Sequence, residues 1–450
     1  MNTRGFSVES YDFVAPRQIA FGWGRRDHIG ELVRPLGRRA WIVCGAAAMI
    51  EQGVIEKLRR NLGDAGVESR LLTLIEHEPL VEDVDGTAAQ LRAEGVGPGD
   101  LLLAVGGGSA IDLAKAVAAM AVNDESPTVA DYLEHVGRNL TLRVAPLPVV
   151  AMPTTAGTGA EATRNAVISG RNPPLKRSLR DWRLMPQLVL VDPELTVSLP
   201  RRPTAACGLD AITQLIESYI SRKAKPIARA LVRQGLPMAL WALPRVVERP
   251  DDRLAREAMA HAALLSGLAL ANSGLGMAHG VAAALGVHCG AAHGEACAVM
   301  LPAALRTNAP VCRALLAELW RTIAADDGQT DPLPPSDSAH APDLFAADHD
   351  AQTPSGDDSL GTPREGSIAP RRDDQQSGSH TDREAADAER FIECIERLCD
   401  RVQAPRRLAQ LGVRPEQLPL LVRDSRGSSM SGNPRELGDE ELRALLESML

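Results

Sequence analysis

The sequence predicts an α/β N-terminal domain followed by an all-α C-terminal domain that a disordered insertion interrupts. Three observations support this prediction. Short apolar runs alternate with helical stretches over the first 200 residues, the chain becomes rich in Ala and Leu with helical spacing after Pro203, and residues 326–386 carry almost no large apolar side chains. We therefore place the α/β domain at residues 1–200 and the helical domain at residues 201–450, within the two or three domains expected for 450 residues.

The α/β domain is predicted from its apolar runs. Five runs have the length and composition of buried strands: Ala40–Cys44, Arg70–Ile75, Leu101–Val105, Pro148–Met152 and Leu188–Val191. Three intervening stretches have helical spacing: Val54–Leu62, Val84–Glu94 and Ser109–Val122. Alternation of strands and helices predicts a mostly parallel sheet that helices cover.

The helical domain is predicted from residues 203–325, which have helical periodicity and few β-branched runs. Residues 326–386 are rich in Asp, Ser, Pro and Gly, so that burial cannot offset the entropy lost on ordering them. We predict a disordered surface insertion there; a regulatory or partner-binding segment is the alternative. Helical patterning resumes at Glu389–Val402, so the insertion interrupts the helical domain and does not end it.

Composition argues against several classes of protein. The net charge of −9 resides mainly in the insertion, no basic stripe with interleaved aromatic residues occurs, and aromatic residues make up 3%, so we expect no nucleic-acid partner. No uncharged apolar run of 18 residues occurs, so we expect no membrane span. Residues 1–11 lack an apolar stretch and the seven cysteines include no Cys-x-x-Cys pair, so we expect a cytoplasmic protein with reduced thiols.

Two loops follow predicted strands of the α/β domain. The glycine loop, Gly106–Ser109, follows Leu101–Val105, and its glycines would let backbone N–H groups approach a phosphate. It matches neither Gly-x-Gly-x-x-Gly nor a Walker A loop, and a purely steric role is the alternative. The threonine loop, Pro153–Glu161, follows Pro148–Met152 and offers hydroxyl groups for a ribose or diphosphate, or for capping a helix. Two such loops at neighbouring strand ends predict a dinucleotide between them.

Polar residues in the apolar helical domain form a second candidate site. Asp210 and Gln214 are four residues apart, on one helix face, and His279 and His293 lie among small apolar residues. Each alone has a structural alternative, a helix-terminal charge or a buried histidine with its hydrogen bonds satisfied. Together, one Asp and two His form a donor set suited to zinc or ferrous iron. His288 is either a reserve ligand or a residue that lines the pocket.

At this point the motifs indicate a family. GGGSAIDLAK, PTTAGTGAEAT, CGLDAITQLIESYIS and HGVAAALGVHCGAAHG occur in the order seen in iron-containing (group III) alcohol dehydrogenases. PRQIAFGWG, LVLVDPELT and SGNPREL resemble further landmarks of that family. The resemblance covers about residues 12–325 and 388–450, which is the whole chain apart from the insertion and the first residues.

The resemblance implies an NAD(P)-dependent oxidoreductase that interconverts alcohols and aldehydes or ketones with a divalent metal, Fe(II) or Zn(II), as Lewis acid. It also implies a homodimer or higher homo-oligomer that acts on a small-molecule substrate. The implied cofactor-binding residues are Gly45, Gly107, Gly108, Ser109, Asp112, Thr154, Thr155, Thr158 and Lys176. The implied metal ligands are Asp210, Gln214, His279 and His293. The catalytic set consists of Asp210, His279 and His293, with Lys176 near the nicotinamide ribose and Asn165 near the substrate.

The sequence departs from the family pattern at three positions. Gln214 stands where the family has a histidine ligand, so the choice between iron and zinc stays open. Ala283 stands where a histidine is thought to help proton transfer, so another group or solvent must take that role. Gly45 stands where many members have an acidic residue beside the adenosine ribose, which leaves the choice between NAD and NADP open.

These departures keep other functions in view. One is an Asp-His-His zinc polyol dehydrogenase of the glycerol type, and another is a cofactor-binding homologue with decayed catalysis. A lyase of the dehydroquinate-synthase type is disfavoured by Asp210, since that group should have Glu at the first ligand. The substrate is not readable, although Leu270, where some relatives place an aromatic residue, hints at a roomier apolar pocket.

Overall fold

A computed structural model describes residues 9–324, 333 and 380–450 of the chain. Six parallel strands form one sheet in the order β1-β8-β5-β4-β2-β3, and a two-stranded antiparallel hairpin, β6-β7, stands apart from it. The strands are β1 (Gln18–Phe21), β2 (Arg39–Cys44), β3 (Glu68–Leu74), β4 (Asp100–Gly106), β5 (Val149–Pro153), β6 (Asn165–Arg171), β7 (Pro174–Arg180) and β8 (Leu188–Val191).

The centre of the sheet is β4, whose seven residues are all buried. A parallel strand with helices on both faces is apolar along its whole length, which is why this run could be predicted. In the register of β4 with β5, Gly106 lies opposite Pro153, so the glycine loop and the threonine loop leave the sheet side by side.

Helices cover both faces of the sheet. They are α1 (Ile29–Val33), α2 (Ala47–Glu51), α3 (Val54–Asp64), α4 (Val81–Ala93) and α5 (Gly108–Met120). The predicted α/β class and parallel sheet are confirmed, with every predicted strand and helix within a few residues of its observed bounds. The sequence analysis missed β1 and the β6-β7 hairpin, because these strands are short or half-exposed and lack a continuous apolar run.

The remainder of the described chain is helical, as predicted. Its helices are α6 (Arg201–Ile220), α7 (Pro226–Glu248), α8 (Arg253–Ser273), α9 (Met277–Cys289), α10 (His293–Ala324, with a kink at Cys312), α11 (His380–Arg401), α12 (Leu418–Asp424) and α13 (Asp439–Ser448). The central helix is α6, which is buried along almost all of its length between α7, α8 and α10. A polar residue that points out of α6 is therefore removed from bulk water.

The predicted disordered insertion needs one correction at its end. Helix α11 begins at His380, so residues 380–386 are helical, because they continue the amphipathic pattern that holds α11 against α10. Leu333 is buried against the helical core. The rest of the predicted insertion lies outside the described residues.

No single helix in the described ranges is long and apolar enough to cross a membrane. Only α8 and α9 taken together meet that criterion, and they are bent by 100° relative to each other.

Candidate active site

The glycine loop and the threonine loop are in direct contact. The backbone N–H of Thr154 donates to the carbonyl of Gly106 over 3.1 Å. A Cβ atom added to Gly107 would lie 3.3 Å from Thr155, and one added to Gly108 would lie 2.7 Å from the Thr158 hydroxyl oxygen. The structure thus brings these predicted cofactor residues together, and Ser109 lies beside them in the first turn of α5, where the helix N-terminus favours an anion.

Gly45 lies where β2 ends, against the glycine loop. A Cβ atom there would lie 2.8 Å from the Cα of Gly106 and 3.1 Å from the Cβ of Ala110. The glycine is therefore required by the close approach of two backbones, a reason that the sequence analysis did not consider. Its influence on the choice between NAD and NADP stays a prediction.

Asp112 holds the start of the hairpin in place. Its Oδ2 accepts a hydrogen bond from the Val167 backbone over 3.0 Å, and its Oδ1 lies 3.7 Å from the buried Lys115 ammonium. Lys115 in turn donates to the Asn165 carbonyl over 2.9 Å, so both charges fix the backbone that carries Asn165. Burial raises the pKa of Asp112 to about 6.

Lys176 extends from β7 towards α9. Its ammonium forms an ion pair with Glu78, whose other oxygen accepts a hydrogen bond from the Ser169 hydroxyl over 3.2 Å. A Cβ atom on Gly286 of α9 would lie 3.6 Å from the Lys176 nitrogen, so Lys176 reaches the helical domain. Burial acts to raise the pKa of Glu78, but Lys176 outweighs it and holds that pKa below the ordinary value. The sequence analysis missed Glu78, since nothing in its local sequence marks it.

Three helices bring four potential metal ligands together. Asp210 of α6 lies with its Oδ1 3.1 Å from Nε2 of His279, on α9, and 3.8 Å from Nε2 of His293, at the start of α10. Cys297 lies one turn beyond His293, with its Sγ 3.8 Å from that histidine's Nε2. The ligand atoms of these four residues all lie within 4.8 Å of one another. We call Asp210, His279, His293 and Cys297 the metal cluster.

Glu217, two turns after Asp210 on α6, orients His279. Its carboxylate accepts a hydrogen bond from His279 Nδ1 over 2.8 Å and from the backbone N–H groups of Gly276 and Ala278 over 3.0 and 2.7 Å. It therefore fixes the ring so that Nε2 faces Asp210, and it satisfies the free N–H groups of the first turn of α9. The sequence analysis missed Glu217, although its position on the same side of α6 as Asp210 is visible in the sequence.

The charges around the metal cluster favour a protonated His279 when no cation is bound. Burial opposes protonation of His279, yet Cys297, Asp210 and Glu217 raise its pKa well above the ordinary value. Burial lowers the pKa of His293 to about 4 and raises that of Cys297 to about 12. Burial would also raise the pKa of Asp210, but the neighbouring imidazoles outweigh it and hold that pKa down. Two buried carboxylates thus face a single cationic ring.

The remaining predicted residues lie near the metal cluster but make other contacts. Gln214 donates from its amide nitrogen to Asp210 Oδ1 over 3.2 Å, while its amide oxygen lies 2.9 Å from the Ser266 hydroxyl. His288 binds Asp424 of α12 over 2.6 Å, so its ring is committed away from the metal cluster. Ala283, on α9, is partly exposed.

The donor set fits a divalent cation. Two buried acids, two histidines and a thiol converge, and in the described chain no Lys or Arg side chain forms an ion pair with Asp210 or Glu217. A cation would supply the positive charge that the His279 proton now supplies, and the imidazole would then act as a ligand. The Nδ1 atom of His293 is buried without a hydrogen-bond partner, as in a site whose hydrogen bonding is incomplete.

A parallel sheet with two contacting loops at its carboxyl edge, joined to a helical domain with a buried metal cluster, defines a dinucleotide- and metal-dependent oxidoreductase. The family described as iron-containing alcohol dehydrogenase matches residues 16–193, and its C-terminal part matches residues 204–354. The chain belongs to the iron-containing alcohol dehydrogenase family, which confirms the predicted family and enzyme class.

Known relatives agree with this assignment. The chain is 35% identical over 313 residues to long-chain-alcohol dehydrogenase 1 of Geobacillus thermodenitrificans, a match that covers 70% of this chain and 77% of the relative. It is 27% identical over 440 residues to the NAD-dependent methanol dehydrogenase of Bacillus methanolicus, covering 98% and 100%. Among solved structures, sulfoacetaldehyde reductase from Bifidobacterium kashiwanohense in complex with NAD+ has a TM-score of 0.77 at 26% identity, covering 98% of this chain and 99% of that one.

Proposed function

We propose that this enzyme interconverts an alcohol and its aldehyde, with NAD(P) held at the carboxyl ends of β4 and β5 and a divalent cation held by the metal cluster. One observation supports the proposal above all others. The threonine loop touches α6 next to the metal cluster, since a Cβ atom on Gly157 would lie 2.8 Å from the Cβ of Cys207, three residues before Asp210. A nicotinamide that extends along this loop would therefore reach the substrate at the metal, as hydride transfer requires.

The residues divide the work between the two domains. When bound, the cation would polarise the substrate oxygen and NAD(P) would exchange the hydride. Asp210 and His279 would hold the cation, while Glu217 keeps the His279 ring in its tautomer and Gln214 donates to the Asp210 carboxylate. Lys176, fixed by Glu78, is positioned to donate to the ribose at the cleft between β7 and α9.

The proton released on alcohol oxidation needs an acceptor other than the histidine that Ala283 replaces. Ala283 is partly exposed, whereas the residues on either side of it are buried. We propose that water enters at this methyl group and carries the proton to solvent. A cytoplasmic location and a homo-oligomeric state are further parts of the proposal, which cell fractionation and light scattering would test.

The experiment compares Asp210→Asn with the matched carboxylate variant Asp424→Asn, which lies on α12 and contacts His288. Purified proteins are assayed for metal content and for oxidation of NADH and NADPH with a series of aldehydes. We expect Asp210→Asn to lose metal and turnover together, because the carboxylate charge that balances the cation is gone, and Asp424→Asn to keep both. Equal turnover in the two variants would contradict the proposal.

A further inference from the structure

We propose that Cys297 is the fourth metal ligand of this enzyme, in the role that the family resemblance implies for position 214. This assignment rests on the metal-dependent function proposed above. Cys297 lies four residues after His293 on α10, so both side chains emerge from the same face of the helix. Its sulfur lies 3.8 Å from Nε2 of His293 and within 4.8 Å of the ligand atoms of Asp210 and His279.

The amide of Gln214 is already engaged at both ends. Its nitrogen donates to Asp210 over 3.2 Å, and its oxygen lies 2.9 Å from the Ser266 hydroxyl. In this orientation the amide presents N–H groups, which are not ligands, to the metal cluster. Gln214 therefore acts as a positioning residue that holds the Asp210 carboxylate, and the fourth donor has to come from another element.

The environment of Cys297 differs from that of other buried cysteines in the described chain. The thiol of Cys312 donates to the Asn308 carbonyl over 3.1 Å, and that of Cys44 donates to the Ala46 carbonyl over 3.3 Å, as expected of thiols that only fill space in a core. Cys297 instead faces an imidazole nitrogen and a carboxylate, and its own side chain is fully buried. Its neighbours are metal-binding groups and not backbone carbonyls.

A thiolate at this position changes the chemistry of the site. Asp210 and Cys297 together would carry two negative charges against the two positive charges of the cation, two neutral imidazoles would complete the set, and the Glu217 carboxylate would remain hydrogen-bonded to His279 Nδ1. The number of protein donors stays at four, so the substrate oxygen would have to add to this set or displace one of its members. Sulfur is softer than an imidazole nitrogen or an amide oxygen, so the site should favour zinc over iron.

The test uses the full-length protein stripped of metal and titrated with Co(II), which reports sulfur ligation by a thiolate-to-cobalt charge-transfer band in the near ultraviolet. We expect the wild type to bind one cobalt per chain and to show the band. Cys297→Ser and Cys297→Ala should lose the band and bind cobalt at least about tenfold more weakly, the loss typical of disturbing a metal site. Two substitutions are used because the test needs only one Cys297 variant that folds, and circular dichroism verifies the fold of each.

Two controls separate the competing ligands. Cys207→Ser removes the other thiol close to Asp210, and we expect it to keep the band. Gln214→Ala removes the amide, and we expect it to keep the band and the stoichiometry of one. A band that survives in the Cys297 variants, or a cobalt-loaded wild type without one, would overturn the assignment. If the cobalt-loaded wild type oxidises alcohols but shows no charge-transfer band, only this inference is overturned. If it shows the band but does not oxidise alcohols, only the proposed function is overturned.

Discussion

Gly267 of α8 is a second point where the helical domain touches the threonine loop, and Gly267→Ala tests how tightly the two are joined. The added Cβ atom would lie 2.2 Å from the carbonyl oxygen of Gly159 and 2.8 Å from its Cα. Non-bonded heavy atoms prefer about 3.5–4.0 Å, so the loop and the helix must separate by about 1 Å or more. Gly159 has φ 59°, a left-handed conformation that limits how its backbone can adjust.

The expected magnitude follows from two opposing terms. Overpacking of this kind costs about 1–3 kcal/mol, while Gly→Ala within a helix stabilises by about 0.5–1 kcal/mol. We therefore expect the free energy of unfolding to fall by up to about 2.5 kcal/mol, with a central value of about 1 kcal/mol. Because the displaced loop carries Thr154 and Thr158, we also expect NADH to bind at least about fivefold more weakly, equivalent to about 1 kcal/mol.

The assay is urea denaturation together with an NADH fluorescence titration, and Gly86→Ala serves as the matched control. Gly86 lies within α4, and a Cβ atom there would meet nothing within 4 Å, so its replacement should stabilise the chain by up to about 1 kcal/mol and leave NADH binding unchanged. The reasoning is refuted if Gly267→Ala is as stable as Gly86→Ala and binds NADH with wild-type affinity.

Three further predictions concern other parts of the chain. Glu217→Gln should weaken zinc binding about 10–100-fold, because the carboxylate that orients His279 becomes an amide. Unchanged affinity in a zinc titration would show that the α9 backbone alone fixes the orientation of the His279 ring. Burial raises the pKa of Glu161 from 4.5 to about 7, so the native state binds a proton that the unfolded state releases, and the stability that this group contributes should be lost as pH rises from about 4.5 to 7. Glu161→Gln lacks this titration. In urea denaturation at pH 4.5 and pH 7, its free energy of unfolding should therefore rise by about 3 kcal/mol relative to that of the wild type between the two pH values. A difference between the two proteins that stays constant with pH would contradict the shift. Replacing residues 334–379 with a short Gly/Ser linker should leave the melting temperature and NADH affinity near wild type, and a loss of either would show that the segment packs on the rest of the protein.

Uniform burial made the central strand of the sheet easy to predict, although the largely exposed β3 was predicted as well. Leu101–Val105 was predicted as a strand because all of it lies inside the sheet. The hairpin escaped notice because β6 mixes half-buried with buried positions and β7 is mostly half-buried. The start of α11 was misplaced because His380 and the residues after it are charged and amphipathic, which resembles the composition of the adjacent acidic segment.

The candidate site divides in the same way. The sequence pointed to Asp210, His279 and His293 because acids and imidazoles are rare in apolar helices. It did not point to Glu217 or Cys297, because their importance depends on how α6, α9 and α10 pack, which helical spacing alone does not establish. One signal was available: Cys297 follows His293 at the same four-residue spacing that linked Asp210 to Gln214.

The most direct test of the whole account is metal reconstitution of the stripped wild type, followed through the absorbance of NADH or NADPH with an alcohol or aldehyde substrate. The account predicts negligible turnover in the stripped protein and a linear recovery on adding zinc or ferrous iron that saturates at one cation per chain. Full turnover in protein shown by elemental analysis to hold no metal would contradict it.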